Sequence, residues 1–315
     1  MAKLVVAVDA MGGDLGPEAA VEGAVRAARE NPALEIVLAG PEDELGAILA
    51  RHGASSAVSV RHAPDVIRPD ESPTLAFRRK KESSMVVALN LVKEGAARAF
   101  VSAGSTGAVL TGATILLGRR SGIERPALGT LLPNAKKGHT LLVDSGANMD
   151  CKPQYLLQFA MLGSEFLQKT RGRNPRVGLV NVGQEDGKGN ALSKEAFALL
   201  KESGLNFVGN IEGRDIPSGA VDVAVCDGFT GNVALKLVEG TAKAMTGLLK
   251  EELMSGSLSK IGAALSRGAF KRLRARFDYR EVGGAPFLGL NHLVIKAHGS
   301  SDSLAFKNAI LQIKE

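Results

Sequence analysis

The sequence is poor in the residues that crosslink a chain or stack on bases. Its 315 residues include two cysteines, no tryptophan and only 4% aromatic residues. Two cysteines cannot build the disulfide framework of a small secreted domain. So few aromatics also argue against the stacking platforms of proteins that bind single-stranded nucleic acid. We therefore expect neither disulfides nor a nucleic-acid partner.

Long apolar runs and cofactor motifs are missing as well. No stretch of about 18 apolar residues occurs, and the first residues do not read as a secretory signal. The nucleotide fingerprints G-x-G-x-x-G and G-x-x-x-x-G-K are absent, and so are His and Asp spacings typical of metal ligands. We expect a cytoplasmic protein without a transmembrane segment, a metal or a cofactor.

What the sequence does contain is a regular series of short apolar runs in a chain that is 45% hydrophobic, with 37 glycines. Continuous apolarity, rather than alternation, is typical of strands that are covered on both faces. The pattern predicts a three-layer α/β/α fold with a mostly parallel, mixed sheet. The predicted strands and the turns after them are "LVVAVDAMGGD", "EIVLAGPED", "AFVSAGSTGA", "TLLVDSGANMD", "RVGLVNVGQEDGKG", "NFVGNIEG", "VDVAVCDGFTGN" and "NHLVIKAHGSS".

No internal repeat, low-complexity tract or Pro/Ser-rich linker divides the chain. We expect residues 1–315 to form one catalytic α/β unit, either as a single body or as two interleaved lobes with the active site between them. Helices are predicted to start at Pro17 and Pro153, and Asn232 is predicted to cap a third.

Ligands of such sheets bind beyond the carboxyl ends of the strands. In "DGFTGN", residues 227–232, Gly228 and Gly231 stand where the backbone must approach something closely. The helix that follows offers unpaired N–H groups and a positive dipole end. The loop therefore suits an anion or a developing oxyanion, and the alternative is a tight turn capped by Asn232.

A second loop, "SAGSTGA", lies between a strand and a helix and contains Gly104, Ser105, Thr106 and Gly107. It nearly matches the nucleophile elbow G-x-S-x-G. A serine hydrolase is therefore an alternative, in which Ser105 would act with Asp227 and either His292 or His298.

The remaining loops supply one cation and several carboxylates. Lys188, in "NVGQEDGKGN", is the natural charge partner for an anion held on loops that carry no lysine. For the polar and glycine residues of the other strand ends we expect roles in ordering the loops or in supporting an oxyanion. These residues are Asp9, Asp14, Asp144, Asn148, Asp227, Gly228 and Gly231.

Two basic stretches fit the net charge of +6, which favours acidic partners. One contains Arg78, Arg79, Lys80 and Lys81; a solvated surface is its simplest explanation, and contact with a membrane or an acidic protein is the alternative. The other, residues 250–278, is predicted to be a basic amphipathic helical segment that contacts an anionic membrane or an acidic protein; an oligomer interface edged with charge is the alternative. Its marker residues are Leu258, Ile261, Leu265, Arg267, Lys271, Arg272 and Arg274.

The motifs together resemble the bacterial phosphate acyltransferase family PlsX, the acyl-[acyl carrier protein]:phosphate acyltransferases of phospholipid synthesis. The resemblance covers nearly the whole chain. It rests on "VAVDAMGGD", "SAGSTGA", "DSGAN", "NVGQEDGKGN", "NFVGNIEGRDI", "DVAVCDGFTGNVALK", "GGAPFLGL" and "AHGSS". It implies a fold similar to phosphotransacetylases and isopropylmalate dehydrogenases, a homodimer at the inner face of the membrane, and acyl carrier protein and inorganic phosphate as partners.

The resemblance also implies that Lys188 and Asn232 matter most in catalysis. We assign phosphate to the backbone of residues 104–107 with Thr106 and Lys188, and the polarisation of the thioester carbonyl to Asn232. Ser105 stands where the family pattern has Asn, so a serine nucleophile is not expected, and Ser145 stands where an apolar residue is expected. Besides the hydrolase, a non-catalytic membrane-associated carrier-protein adaptor remains an alternative.

Overall fold

The computed structural model describes residues 3–53, 56–172 and 174–314. The strands of these residues are β1 (Leu4–Asp9), β2 (Leu34–Gly40), β3 (Val58–His62), β4 (Ala99–Ser102), β5 (Ala127–Leu128), β6 (Thr130–Pro133), β7 (His139–Val143), β8 (Val177–Val180), β9 (Phe207–Ile211), β10 (Val223–Val225), β11 (Gly284–Leu288) and β12 (Leu293–Ala297). The helices are α1 (Pro17–Glu30), α2 (Glu42–Arg51), α3 (Pro73–Arg79), α4 (Ser84–Lys93), α5 (Thr106–Leu116), α6 (Pro153–Arg171), α7 (Ala191–Glu202), α8 (Asp215–Ser218), α9 (Gly228–Met254), α10 (Ser257–Leu265), α11 (Arg267–Phe277), α12 (Tyr279–Val282) and α13 (Ser303–Leu311).

The strands form two sheets. The first has the order β3-β2-β1-β4-β12-β11-β5, and the second has the order β6-β7-β10-β8-β9. Most neighbouring strands are parallel; β11 runs antiparallel to both of its neighbours, and β6 runs antiparallel to β7. The predicted α/β fold with mostly parallel strands is confirmed, but the strands are divided between two mixed sheets.

The core explains why the predicted strands are continuously apolar. In β1, Val6 and Val8 pack in a cluster with α1 and α13, whereas Ala7 packs on the opposite face with α4 and α5. Both faces are therefore covered, and all eight apolar runs of the sequence form strands. The sequence analysis did not predict β3, β5, β6 or β11. Of these, β5 has only two residues, and β3 leaves most of its residues partly or fully exposed.

Two of the three predicted helix starts are confirmed, at Pro17 and Pro153. The third was wrong, because α9 begins at Gly228, one turn before Asn232. Asp227 is the cap: its carboxylate accepts the Thr230 N–H at 2.9 Å and the Thr230 hydroxyl at 2.7 Å. Asn232 consequently lies inside the helix.

The 27 residues of α9 reach about 40 Å, but only the first part of the helix packs on the second sheet, through Ala234, Leu235 and Val238. We call residues 241–277 the helical arm. Within it, neither α10 nor α11 has a buried residue. Among the described residues, no helix combines the length and the apolarity needed to span a bilayer.

Candidate active site

A cavity of about 380 Å³ opens at the carboxyl ends of the first sheet's parallel strands and is also lined by elements of the second sheet. Its wall includes loops after β1, β4, β7 and β12, together with strand β6 and one face of α9. The polar, charged and glycine residues of this wall include Asp14, Gly104, Ser105, Thr106, Ser145, Gly146, Asn232, Lys236, Lys296 and His298.

The loop after β4 is fixed from behind by a buried carboxylate. The Ser102 hydroxyl donates to Asp9 Oδ2 at 2.7 Å and accepts the Gly104 N–H at 2.9 Å. Burial raises the pKa of Asp9, while hydrogen bonds from Ser84, Ser102 and two backbone N–H groups act in the opposite direction. Helix α5 begins at Thr106, so its first turn points at the cavity. Gly107 belongs to the same turn but does not line the cavity.

The loop after β7 is ordered in the same way by Asp144. Its buried carboxylate accepts backbone N–H groups from Leu128, Gly146, Ala147 and Asn148 at 2.6 to 3.2 Å. The Asn148 side chain adds a further hydrogen bond at 2.8 Å. Burial raises the pKa of Asp144 and these hydrogen bonds oppose it. The carboxylate thus holds Ser145 and Gly146 at the cavity wall.

Ser145, which replaces the expected apolar residue, has a structural partner for its hydroxyl. Its Oγ lies 2.7 Å from Thr130 Oγ1 and 3.0 Å from the Leu128 carbonyl oxygen, to which it donates. The side chain therefore ties the loop after β7 to β6, and it is buried by that contact.

The glycines at the start of α9 face protein backbone. A Cβ at Gly228 would lie 2.5 Å from the Asn148 carbonyl oxygen, and one at Gly231 would lie 1.9 Å from the Asp144 carbonyl oxygen. The close approach expected at both glycines is present, and the group approached is protein backbone. The two glycines let the first turn of α9 dock directly on the loop after β7.

This docking places Asn232 at the cavity. Its side chain lies beside Gly146, and its amide forms no hydrogen bond with another described residue. An exposed amide that has no protein partner at a cavity wall is available to a substrate oxygen. The structure therefore brings Asn232 together with Gly104, Ser105, Thr106 and Asp14.

Lys188 does not join this group. It is exposed in the loop between β8 and α7, where its carbonyl oxygen accepts the Asn181 side-chain N–H at 3.1 Å. The stem of Lys188 lies over Gly183. This loop follows β8 and the start of α9 follows β10, and the two strands are parallel neighbours, so both segments lie at the same edge of the second sheet. Lys188 is nevertheless not among the residues that line the cavity.

The structure supplies cations that the sequence analysis did not single out. They are Lys296 in β12 and Lys236 in α9; His298, the histidine considered for the hydrolase, follows β12 and lines the same cavity. Lys236 pairs with Glu239 at 2.7 Å and lies 3.1 Å from His298 Nε2. Burial lowers the pKa of Lys296 to about 8, and burial together with Lys236 lowers the pKa of His298. The sequence signal for Lys296 was a lysine near the end of an apolar strand, three residues before Gly299.

The serine hydrolase triad is not assembled. The Ser105 hydroxyl caps α5 by accepting the Ala108 N–H at 3.3 Å. Asp227 is occupied by Thr230, and His298 contacts Ser300 and Lys236. Within residues 3–53, 56–172 and 174–314, no hydrogen bond joins Ser105 to a histidine.

The two basic stretches have different surroundings. Arg78 and Arg79 end α3, and Lys80 is held by Glu71 at 2.6 Å and by the Val66 carbonyl oxygen. Lys81 is exposed next to them. The second cluster lies on α11, with every residue exposed or nearly so, and its last arginine, Arg276, lies at the rim of the cavity. Members of this cluster are Arg267, Lys271, Arg272 and Arg274.

The fold is that of a class of α/β proteins that includes phosphotransacetylases. A phosphotransacetylase from Streptococcus pyogenes has the same fold, with a TM-score of 0.66 at 18% identity over 98% of this chain and 92% of that chain. The predicted similarity to phosphotransacetylases is confirmed.

The particular family follows from the sequence comparisons. The family model described as fatty acid synthesis protein matches residues 4–315. A protein named phosphate acyltransferase from Clostridium acetobutylicum is 50% identical over 311 residues, which cover 98% of this chain and 94% of the relative. Another protein of that name, from Pelotomaculum thermopropionicum, is 51% identical over 311 residues, which cover 98% of this chain and 90% of the relative. The chain belongs to this family, and the predicted family membership is confirmed.

Proposed function

We propose that the protein transfers a fatty acyl group from an acyl carrier protein thioester to inorganic phosphate, which yields an acyl phosphate for phospholipid synthesis. One observation carries the proposal: the unpartnered amide of Asn232 and the first turn of α5 face the same cavity. Much of the rest of that cavity's wall is apolar, including Leu131, Leu235 and Val238. An anion and a hydrocarbon chain would therefore find suitable surroundings side by side.

The reaction needs little from the protein beyond positioning. A phosphate oxygen attacks the thioester carbonyl carbon, the C–O bond forms, and the C–S bond breaks as the thiolate leaves. Thiolates are good leaving groups because the pKa of a thiol is about 8.5. The site must hold the phosphate against the carbonyl carbon and stabilise the oxyanion with fixed dipoles.

In this scheme the N–H groups of residues 104–106 and the Thr106 hydroxyl bind phosphate, and Asn232 donates to the carbonyl oxygen. Asp9, Asp144 and Asn148 hold the two loops in place by the hydrogen bonds described above. Lys188 approaches the phosphate only if its exposed loop moves or if another copy of the chain presents it.

The cluster on α11 is the better docking surface for the acidic carrier protein. Arg276 lies at the rim of the cavity, so a carrier protein bound along α11 would have a short path to the site for its acyl group. Lys80, in the other basic stretch, is already paired with Glu71. Complementary charge would mainly accelerate the encounter.

The helical arm supports two further proposals, namely a homodimer and peripheral association with the inner face of the cell membrane. Leu258 and Leu265, near the two ends of α10, are 83% and 85% exposed, and lysines and arginines flank them. An apolar helix face beside basic residues suits an anionic lipid surface. We also propose that the two sheets and the helical arm form one catalytic unit.

The test is to incubate the protein with acyl carrier protein thioester, with and without phosphate. We expect acyl phosphate only when phosphate is present. Release of free fatty acid without phosphate would favour the hydrolase, and tight binding without turnover would favour the adaptor.

Ser105→Ala should retain most of the activity and lose about 1 kcal/mol of stability, because it removes a helix cap. Abolished turnover in a folded variant would contradict the proposal that Ser105 is not a nucleophile.

A further inference from the structure

Lys296 is a cationic side chain that lines the cavity at the end of the first sheet. In the register of the first sheet it lies beside Ser102 of β4 and Ala285 of β11. Val294, two residues earlier, packs in the cluster that α4 and α5 cover. Since side chains alternate along a strand, Lys296 leaves the sheet on that same face, toward the first turn of α5.

Its charge has no salt-bridge partner among the described residues, although the Asp14 carboxylate favours its charged form. The Lys296 ammonium donates to the Ala297 carbonyl oxygen and forms no ion pair with a described carboxylate. Lys236, by contrast, is compensated by Glu239. The charged and titratable groups that line the cavity together with Lys296 are Asp14, Lys236, Glu239, Arg276, Asp278, Tyr279 and His298.

An ammonium without a salt bridge at a part-buried site costs free energy, and a bound anion would offset that cost. We propose that Lys296 is a further substrate-binding residue and that it binds the phosphate nucleophile through its ammonium group. The inference rests on the proposed function, which makes phosphate the anion. No bond to Lys296 forms or breaks; its charge holds the phosphate in place during attack on the thioester.

The pH dependence gives this role a signature. Burial lowers the pKa of Lys296 to about 8, Asp14 acts to raise it, and Lys236 acts to lower it. The free enzyme therefore carries this charge at pH 7 and loses it above a pH of about 8. Because kcat/KM reports groups of the free enzyme, kcat/KM for phosphate should fall above that pH.

The experiment compares wild type, Lys296→Met and Lys296→Arg at saturating carrier-protein thioester. The phosphate concentration is varied at each of several pH values between about pH 6 and about pH 10. In Lys296→Met the KM for phosphate should rise about 10- to 100-fold at pH 7, with a smaller change in kcat, because a charge-assisted hydrogen bond is lost. Its kcat/KM should also lack the fall above pH 8. Lys296→Arg should restore most of the affinity for phosphate. Its kcat/KM should not fall between pH 8 and about pH 10, since arginine stays protonated.

Two further variants separate this role from a structural one. Asp14→Asn removes the carboxylate that raises the pKa of Lys296, so the fall should move to lower pH. Lys93→Met, a substitution of an exposed lysine at the end of α4 and away from the cavity, should behave like wild type. Should Lys296→Met fold poorly, the Lys296→Arg and Asp14→Asn profiles still decide the question.

The outcomes distinguish the two proposals. If wild type makes no acyl phosphate, the proposed function fails and this inference fails with it. If wild type is active but Lys296→Met keeps both its KM for phosphate and the fall above pH 8, only the inference is overturned. A loss confined to kcat would overturn it as well, because binding of phosphate would then not depend on Lys296.

Discussion

Gly228 and Gly231 occupy the two positions where the first turn of α9 meets the backbone of the loop after β7. No side chain fits there, since even a Cβ at residue 231 would overlap the Asp144 carbonyl oxygen at 1.9 Å. The same contact fixes where Asn232 enters the cavity. At the scale of single residues, the geometry of the site therefore depends on two residues without side chains.

Gly231→Ala should lower the free energy of unfolding by roughly 3 kcal/mol, because the helix must move away from the loop to relieve the overlap. Urea denaturation of the purified variant measures this. Gly46→Ala is the matched control: Gly46 is also helical, in α2, and a Cβ there would meet nothing within 4 Å. The control should gain up to about 1 kcal/mol from helix propensity. Equal stabilities of the two variants would contradict the explanation.

The sequence could not decide between the two caps available to α9. Asp227 and Asn232 are both good N-cap residues, and both are followed by residues that can form a helix. The earlier start prevails because the backbone of α9's first turn docks on residues 144–148, and only glycines allow that approach. This contact joins segments about 80 residues apart, so no local pattern could reveal it.

At the scale of elements, α10 has the composition of a helix that lies on a surface. Leu258, Ile261 and Leu265 are spaced at helical intervals and strongly exposed, and no residue of α10 is buried. Its sequence was sufficient to predict a helix with one apolar face, because the periodicity of side chains is local. What that face contacts depends on its position outside both sheets.

Replacing Leu258 and Ile261 with Glu should release the protein from vesicles of anionic lipid, because it removes apolar area and adds negative charge. Vesicle co-sedimentation is the measurement. Ser257→Glu with Ser259→Glu adds the same charge to exposed polar positions of α10 and should retain more binding. If both double variants dissociate equally, charge alone explains the attraction; if neither does, α10 is not the contact.

At the scale of the whole molecule, the helical arm is large and mostly unpacked within one chain. Met245 and Leu248 are more than half exposed on α9, one turn apart. A helix that leaves such a stripe uncovered would usually bury it against another surface. The proposed homodimer would provide that surface along α9, while α10 would remain free for lipid.

Met245→Glu with Leu248→Glu should therefore convert dimers to monomers, as measured by sedimentation velocity over a range of concentrations. Thr246→Glu with Lys250→Glu changes the opposite face of the same helix and should leave the association intact. A wild-type protein that is monomeric at all concentrations, or a Met245/Leu248 variant that stays dimeric, would rule out this interface.

The sequence by itself determined that the protein has an α/β fold, and it identified the loops that carry polar chemistry. It could do so because continuous apolar runs require cover on both faces, and because glycines and polar residues gather where such strands end. Only the tertiary structure decided that there are two sheets, that Lys296 lines the cavity and that Lys188 does not. Those facts follow from strand order and from contacts between distant segments, and neither is recorded in the local pattern of residues.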